Sequence, residues 1–228
     1  MNKNKVELLG FYGSDLTHAQ SAWTSTSRDL TKEKLERIPK LLQMLASEGH
    51  HTPFEKSQFH FLVTVDQATH IHLLKHRIGV SINGESARYK ELKEDRTYIP
   101  KDWDITTKDG AEILGGYKHG AILRWDFILQ QHSVKSNELY HKCLEELTPI
   151  LGRKRAKESA RFFKTFNSQI TMDISFNFRS FMHFQKLRND EHAQLEVREL
   201  SQQMLELVKN IEGNPFKESL KAFNYGKI

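Results

Sequence analysis

The chain has one cysteine in 228 residues, five prolines, and no apolar run approaching the ~20 residues that span a bilayer. Each absence excludes something. A lone Cys143 can form neither an internal disulfide nor a cysteine zinc cage, which fits a reducing compartment. The opening MNKNKVELLGFYGS is basic, but Glu7 and Gly10 interrupt its apolar stretch, so nothing directs the chain to a membrane and a cytoplasmic location is expected. With no Pro/Gly/Ser linker, low-complexity block or fixed-period repeat, a single globular domain over residues 1–228 is expected. No P-loop, GxGxxG or GxSxG occurs, so phosphate binding must come from side chains and loop amides.

What is present is a 38% hydrophobic content, enough for a real core, and 34 Lys and Arg against 29 Asp and Glu, a formal charge of +5. That balance steers anionic ligands without by itself marking a nucleic-acid binder. A polynucleotide reader would also need stacking platforms, whereas Phe59 and Phe61 share one apolar strand face that packs inward, so no nucleic-acid partner is expected.

Two strands stand out. In SQFHFLVTVD, Phe59, Phe61, Val63 and Val65 alternate with Gln58, His60, Leu62 and Thr64; in NSQITMDISFN, Ile170, Met172, Ile174 and Phe176 alternate with Gln169, Thr171, Asp173 and Ser175. Each runs into a basic helical segment, Gln67 to Arg77 after the first and Phe178 to Leu187 after the second. Helical spacing also covers Thr31 to Gly49, with Pro39 inside it and Gly49 placed as a cap, and roughly 111–131, 134–147, 153–164 and 190–211. The fold class read from this is α+β, mostly helical.

The densest chemistry lies in Lys75 to Tyr89, KHRIGVSINGESARY, where basic and imidazole groups surround a short polar loop. His72 and His76 lie one helical turn apart, but HLLKH lacks the glutamate of a zinc-protease helix, and Lys75 and Arg77 repel a dication, so no metal is expected. Cys143 sits among glutamates in LYHKCLEEL, which disfavours a thiolate nucleophile. Arg77, Arg88, Arg161, Arg179 and Arg188, by contrast, sit in or beside segments rich in Ser, Asn and His. Guanidinium groups pair bidentately with phosphate, and Ser86-Ala87-Arg88 combines hydroxyl, loop amides and cation in a small anion cradle.

Three separated motifs, GHHTPFE (Gly49 to Glu55), KHRIGVSINGESARY and NFRSFMHFQKLRNDEHAQLEVRE (Asn177 to Glu199), together resemble the flavin-dependent thymidylate synthases, in order and over about residues 20 to 200. The resemblance implies that family's fold, with a small antiparallel sheet. It implies reductive methylation of deoxyuridine monophosphate (dUMP) to dTMP, with methylenetetrahydrofolate as carbon donor, FAD as redox cofactor and NADPH as reductant, and without a cysteine nucleophile. It further implies a homotetramer whose active sites are shared between chains.

Carried over by position, the resemblance makes Thr52, Lys75, His76, Arg77, Asn83, Gly84, Asn177, Arg179 and His183 contacts of FAD. It makes His72, Lys75, Glu85, Ser86, Ala87, Arg88 and Arg161 contacts of the nucleotide, with Arg188 binding and activating the pyrimidine. The chemistry of that last role is direct: C5 becomes nucleophilic when negative charge on N3 and its neighbouring carbonyl is stabilised. A unit charge about 4 Å away at an effective dielectric near 20 contributes roughly 4 kcal/mol, or about three pKa units.

The chain also departs from the family pattern. Lys75 replaces the first arginine of the Arg-His-Arg signature, His72 replaces a common glutamine, and Gly84 stands at a usual glutamate, with Glu85 one place later. Eight residues, Ile78 to Glu85, separate Arg77 from Ser86 where the family has seven; placing the extra residue before Ser81 keeps SINGESARY in register. These changes make a shifted pyrimidine nucleotide or a hydroxymethylated product the alternative outcome, and a flavin-free nucleotide-binding homologue the catalytically silent one.

Overall fold

The structure, a computed structural model, describes residues 3–118, 120 and 122–225. The chain divides into two compact units, each built from three segments. The first takes the residues up to 4, 64–71 and 84–171; the second takes 5–63, 72–83 and the residues from 172 onward.

In chain order, β1 (Lys5–Tyr12) and α1 (Asp15–Trp23) precede α2 (Lys32–Glu36), α3 (Ile38–Ser47), a 3-10 turn (Thr52–Glu55), β2 (Gln58–Asp66), α4 (Gln67–Leu74) and β3 (Val80–Gly84). Then follow β4 (Thr106–Thr107), α5 (Gly110–Leu114), β5 (Leu123–Arg124), α6 (Trp125–Leu151), α7 (Arg153–Ala160) and a second 3-10 turn (Arg161–Phe163). The chain continues with β6 (Gln169–Asn177), α8 (Phe178–Arg188), α9 (Leu195–Lys209) and α10 (Lys217–Ala222). This is the expected α+β class, mostly helical with a small antiparallel sheet of order β1-β2-β6-β3. The direction is legible in side chains: His60 lies 3.3 Å from Asp173 and Thr64 lies 3.1 Å from Thr171, so rising numbers on β2 meet falling numbers on β6. No helix among the described residues is long and apolar enough to cross a membrane.

The alternating faces of β2 and β6 build the core of the second unit. Phe59, Phe61, Ile174 and Phe176 are fully buried, and Phe54, Phe178, Phe181, Phe184 and Phe216 join them. Each buried phenylalanine contributes roughly 1.5–3 kcal/mol. Edge-to-face pairs such as Phe59 with Phe216, at 4.9 Å, fix how they interlock. In the first unit Leu92, Tyr140, Leu144, Ala156 and Ala160 cluster, with Cys143 packed against them. Lys164 enters beside that cluster because its charge is fully answered, by Asp95 at 2.7 Å, Asn137 at 2.8 Å and the Tyr140 ring at 4.2 Å.

Several expected boundaries shift. The helix expected over Thr31 to Gly49 is two helices, because Pro39 sits in the first turn of α3, where its missing N–H costs nothing, and the chain breaks at Arg37. The expected segments 111–131 and 134–147 become the short α5 and one continuous helix, α6; His119 and Ala121 lie outside the described residues. The helix after β2 ends at Leu74 rather than Arg77, so the signature residues leave the helix and enter a turn. The segment 153–164 finishes as a 3-10 turn, and 190–211 becomes helical only from Leu195.

His18 of α1 joins α10 and the link before β2, all in the second unit. Its Nδ1 meets the Ser219 hydroxyl at 2.8 Å and its Nε2 meets the Ser57 hydroxyl at 2.7 Å. Burial lowers its pKa to about 4. An unfolded chain protonates this group near its ordinary value, so stability is complete above about pH 6.5, falls as pH drops from there toward about 4, and levels off below. Urea unfolding is expected to lose about 2 kcal/mol between neutral pH and about pH 5 through His18. In His18→Gln that loss shrinks, and an equal slope in both chains contradicts the assignment.

Candidate active site

The turn after α4 and the start of α8 hold one another. Ser180 Oγ donates to the Ile78 carbonyl at 2.7 Å and the Asn177 N–H to the Gly79 carbonyl at 3.0 Å, while Asn177 Oδ1 caps α8 by accepting the Ser180 N–H at 2.8 Å. Gly79 has φ +63°, and a Cβ there would lie 2.3 Å from Asn177 Nδ2 and 2.4 Å from Ser180 Oγ. Only glycine permits this approach.

As a result, the two basic segments face one cavity of about 1150 Å³ within the second unit. Lys75, His76, Arg77, Arg179, His183 and Arg188, six of the expected residues, line it. So do residues that sequence reasoning missed: Lys186, His51, Gln43, Ala46 and Ser47, together with Ala222 to Tyr225. Lys186 was findable, being one helical turn beyond His183, and His51 lies inside the GHHTPFE motif. The wall from Ala222 to Tyr225 carries no sequence signal; it is anchored by Phe223, whose ring meets Phe54 edge-on at 4.9 Å.

The cavity is cationic. No carboxylate lines it, and Lys75, Arg77 and Lys186 have no carboxylate partner among the described residues. Arg179 is paired with Glu55 of the TPFE turn. Arg188 Nε donates to His76 Nε2 at 3.0 Å. Burial, with the Arg188 cation and the neighbouring His183 and His72 imidazoles, lowers His76 to about 4, so at neutral pH it is an uncharged acceptor.

The remaining expected residues stand elsewhere. Thr52 opens the 3-10 turn on the exposed side, Asn83 donates to Asp173 Oδ2 at 3.3 Å, and Gly84 ends β3. His72 Nε2 meets Gln194 Oε1 at 2.9 Å.

Glu85, Ser86, Ala87, Arg88 and Arg161 belong to the first unit. Glu85 is pinned at both oxygens, receiving Lys90 at 2.6 Å, Arg96 at 3.0 Å and the Thr171 N–H at 2.8 Å. Burial opposes its charge, but these hydrogen bonds and cations outweigh it and hold the carboxyl below its ordinary value. These contacts fasten the loop. Ser86 then turns the chain, its carbonyl accepting the N–H groups of Tyr89 and Lys90 at 2.9 Å. Arg88 Nε reaches Glu158 of α7 at 2.9 Å, and Arg161 follows that helix with an exposed, unpaired side chain among the described residues.

FAD fits the cavity on this structure's own terms. Unpaired cations suit a diphosphate, and the volume suits a ligand with two ring systems. The cavity gathers its cations from the turn after α4 and from α8, a lining whose chemistry suits phosphorylated, planar ligands.

The chain belongs to the thymidylate synthase complementing protein family, the flavin-dependent thymidylate synthases, whose model matches residues 7–212. It is 32% identical to the flavin-dependent thymidylate synthase of Thermosipho africanus and 30% identical to that of Pseudothermotoga lettingae, in both cases over 92% of this chain and 87% of the relative. Among solved structures it resembles the UMP/dUMP methylase PolB of Streptomyces cacaoi bound with 5-Br dUMP. That likeness has a TM-score of 0.73 at 25% identity and covers 100% of this chain and 98% of that one. The family resemblance read from the three motifs is borne out.

Proposed function

We propose that the chain methylates dUMP to dTMP reductively, in a homotetramer in the cytoplasm, with FAD held by the cationic cavity. The observation that carries this reading is the cavity's unanswered positive charge, gathered from two motifs that lie within the residues the family model matches. Lys75, Arg77 and Lys186 bind phosphate oxygens, and Arg179, braced by Glu55, orients beside them. FAD, when bound, supplies the reducing equivalents, drawn from NADPH, that complete the methyl group. A C5–C bond to the methylenetetrahydrofolate carbon forms, the C5 proton leaves, and tetrahydrofolate is released. Arg188 stabilises the negative charge that makes C5 nucleophilic, so no cysteine adduct is needed. Ser86, Ala87, Arg88 and Arg161 are the nucleotide contacts that the family resemblance implies, in an active site shared between chains of the tetramer.

The test uses dUMP tritiated at C5 with methylenetetrahydrofolate, FAD and NADPH. Tritium release with a product one methyl group heavier is expected. Flavin-loaded protein that releases none refutes the reading. PolB is a UMP/dUMP methylase solved with 5-Br UMP as well as with 5-Br dUMP, which favours a second substrate, UMP. Running both nucleotides in parallel separates the two.

A further inference from the structure

We propose that His76 is the positioning residue of Arg188: its uncharged imidazole accepts the Arg188 Nε–H on Nε2 and so fixes the plane of the guanidinium that activates the pyrimidine. The consequence for catalysis rests on the proposed methylation; the contact itself does not.

The geometry carries it. Arg188 lies in the last turn of α8, where a long side chain has several rotamers. One of its five N–H donors is held by His76 at 3.0 Å, and its four terminal N–H groups have no partner among the described residues. The guanidinium is therefore tied at one edge and open at the other, which is the arrangement that presents a planar fork to a ligand.

His76 is held in turn. Its backbone N–H donates to the Leu73 carbonyl at 3.1 Å, and its ring stands edge-on to Phe184 at 5.0 Å. Accepting on Nε2 places the ring proton on Nδ1, which has no partner among the described residues. His76 thus reaches both ways, to Arg188 through one nitrogen and toward the cavity it lines through the other.

An imidazole serves as acceptor only while uncharged, and its surroundings keep it so. His72 faces it from α4, His183 and Arg188 from α8, and Lys75 and Arg77 flank it in the chain. The other titratable groups lining the cavity are Arg179, Lys186, His51 and Tyr225; none is a carboxylate that would favour imidazolium.

Glutamine tests this, because its amide oxygen can accept at about the position of Nε2, whereas alanine removes the acceptor. In His76→Ala, kcat per flavin-loaded chain is expected to fall roughly 10- to 100-fold, the worth of one hydrogen bond to a charged group, whatever flavin is lost with a residue that also lines the cavity. His76→Gln is expected to recover most of that loss. In ligand-free protein, the Arg188 Nε–H resonance, assigned by its absence in Arg188→Lys, should carry a hydrogen-bonded shift in wild type and His76→Gln and lose it in His76→Ala. If His76→Gln is as impaired as His76→Ala while both fold, or if the resonance is indifferent to His76, the positioning role is wrong. Loss of flavin with kcat per holoenzyme intact also overturns it, by making His76 a flavin contact only. Absence of turnover in wild type indicts the proposed methylation instead, and the resonance still decides the contact.

Discussion

Arg188→Ala is expected to lower kcat about 1000-fold while leaving the flavin bound. The size follows from the charge it removes: roughly 4 kcal/mol at about 4 Å corresponds to about three powers of ten in rate. Flavin should stay because Lys75, Arg77, Arg179 and Lys186 still line the cavity. The fold should stay because Arg188 is only half-buried and the His76 left behind is uncharged, so no buried charge is orphaned. Arg188→Lys separates charge from shape: it keeps the cation but loses the fork, and should recover part of the rate without wild-type turnover. The measurements are kcat and KM for dUMP beside the visible flavin spectrum. A variant that loses its flavin yet turns over normally per holoenzyme refutes the activating role.

That expectation was reachable from sequence because Arg188 sits in a motif on a strongly patterned strand and helix. β2 and β6 were legible for the same reason: one face of each packs into a phenylalanine core, which enforces alternation. β3 was not legible, since its five residues, VSING, form a sheet edge with no buried side chain. β1 was hidden likewise, its residues half-exposed and interrupted by Gly10. The continuity of α6 was masked by polar groups on its inner face. Ser133, Ser136 and Asn137 are buried there, satisfied by partners such as the Leu129 carbonyl and Lys164 that no local pattern announces. The cavity divides the same way. Its cations were visible as residue types, whereas its neutral walls on α3 and at Phe223 to Tyr225 come together only through packing. The partners of Glu85 were not legible either: both its oxygens are engaged, by Lys90, Arg96 and the Thr171 N–H, which lie 5, 11 and 86 residues away.

Gly79→Val is expected to destabilise the protein by roughly 3–5 kcal/mol and weaken flavin binding more than tenfold, although position 79 contributes no functional group. At φ +63° a β-branched residue is strained whatever the space, and here there is none: the new Cβ would lie 2.3 Å from Asn177 Nδ2 and 2.4 Å from Ser180 Oγ. Those atoms cannot retreat cheaply. Asn177 caps α8, and Ser180 Oγ holds the Ile78 carbonyl, so relief means lifting the turn off the helix and losing both hydrogen bonds. Lys75, His76 and Arg77 are carried by that turn and would lose their register with Arg179 and Arg188. Gly79→Ala, with the same clash at one atom and no branch, should show a smaller version of both losses. Urea midpoints and flavin titration are the readouts, and a Gly79→Val chain of native stability and flavin affinity contradicts the account. A left-handed glycine reverses the chain before β3, which starts at Val80 beside β6, while the cations that precede it stay turned to the cavity.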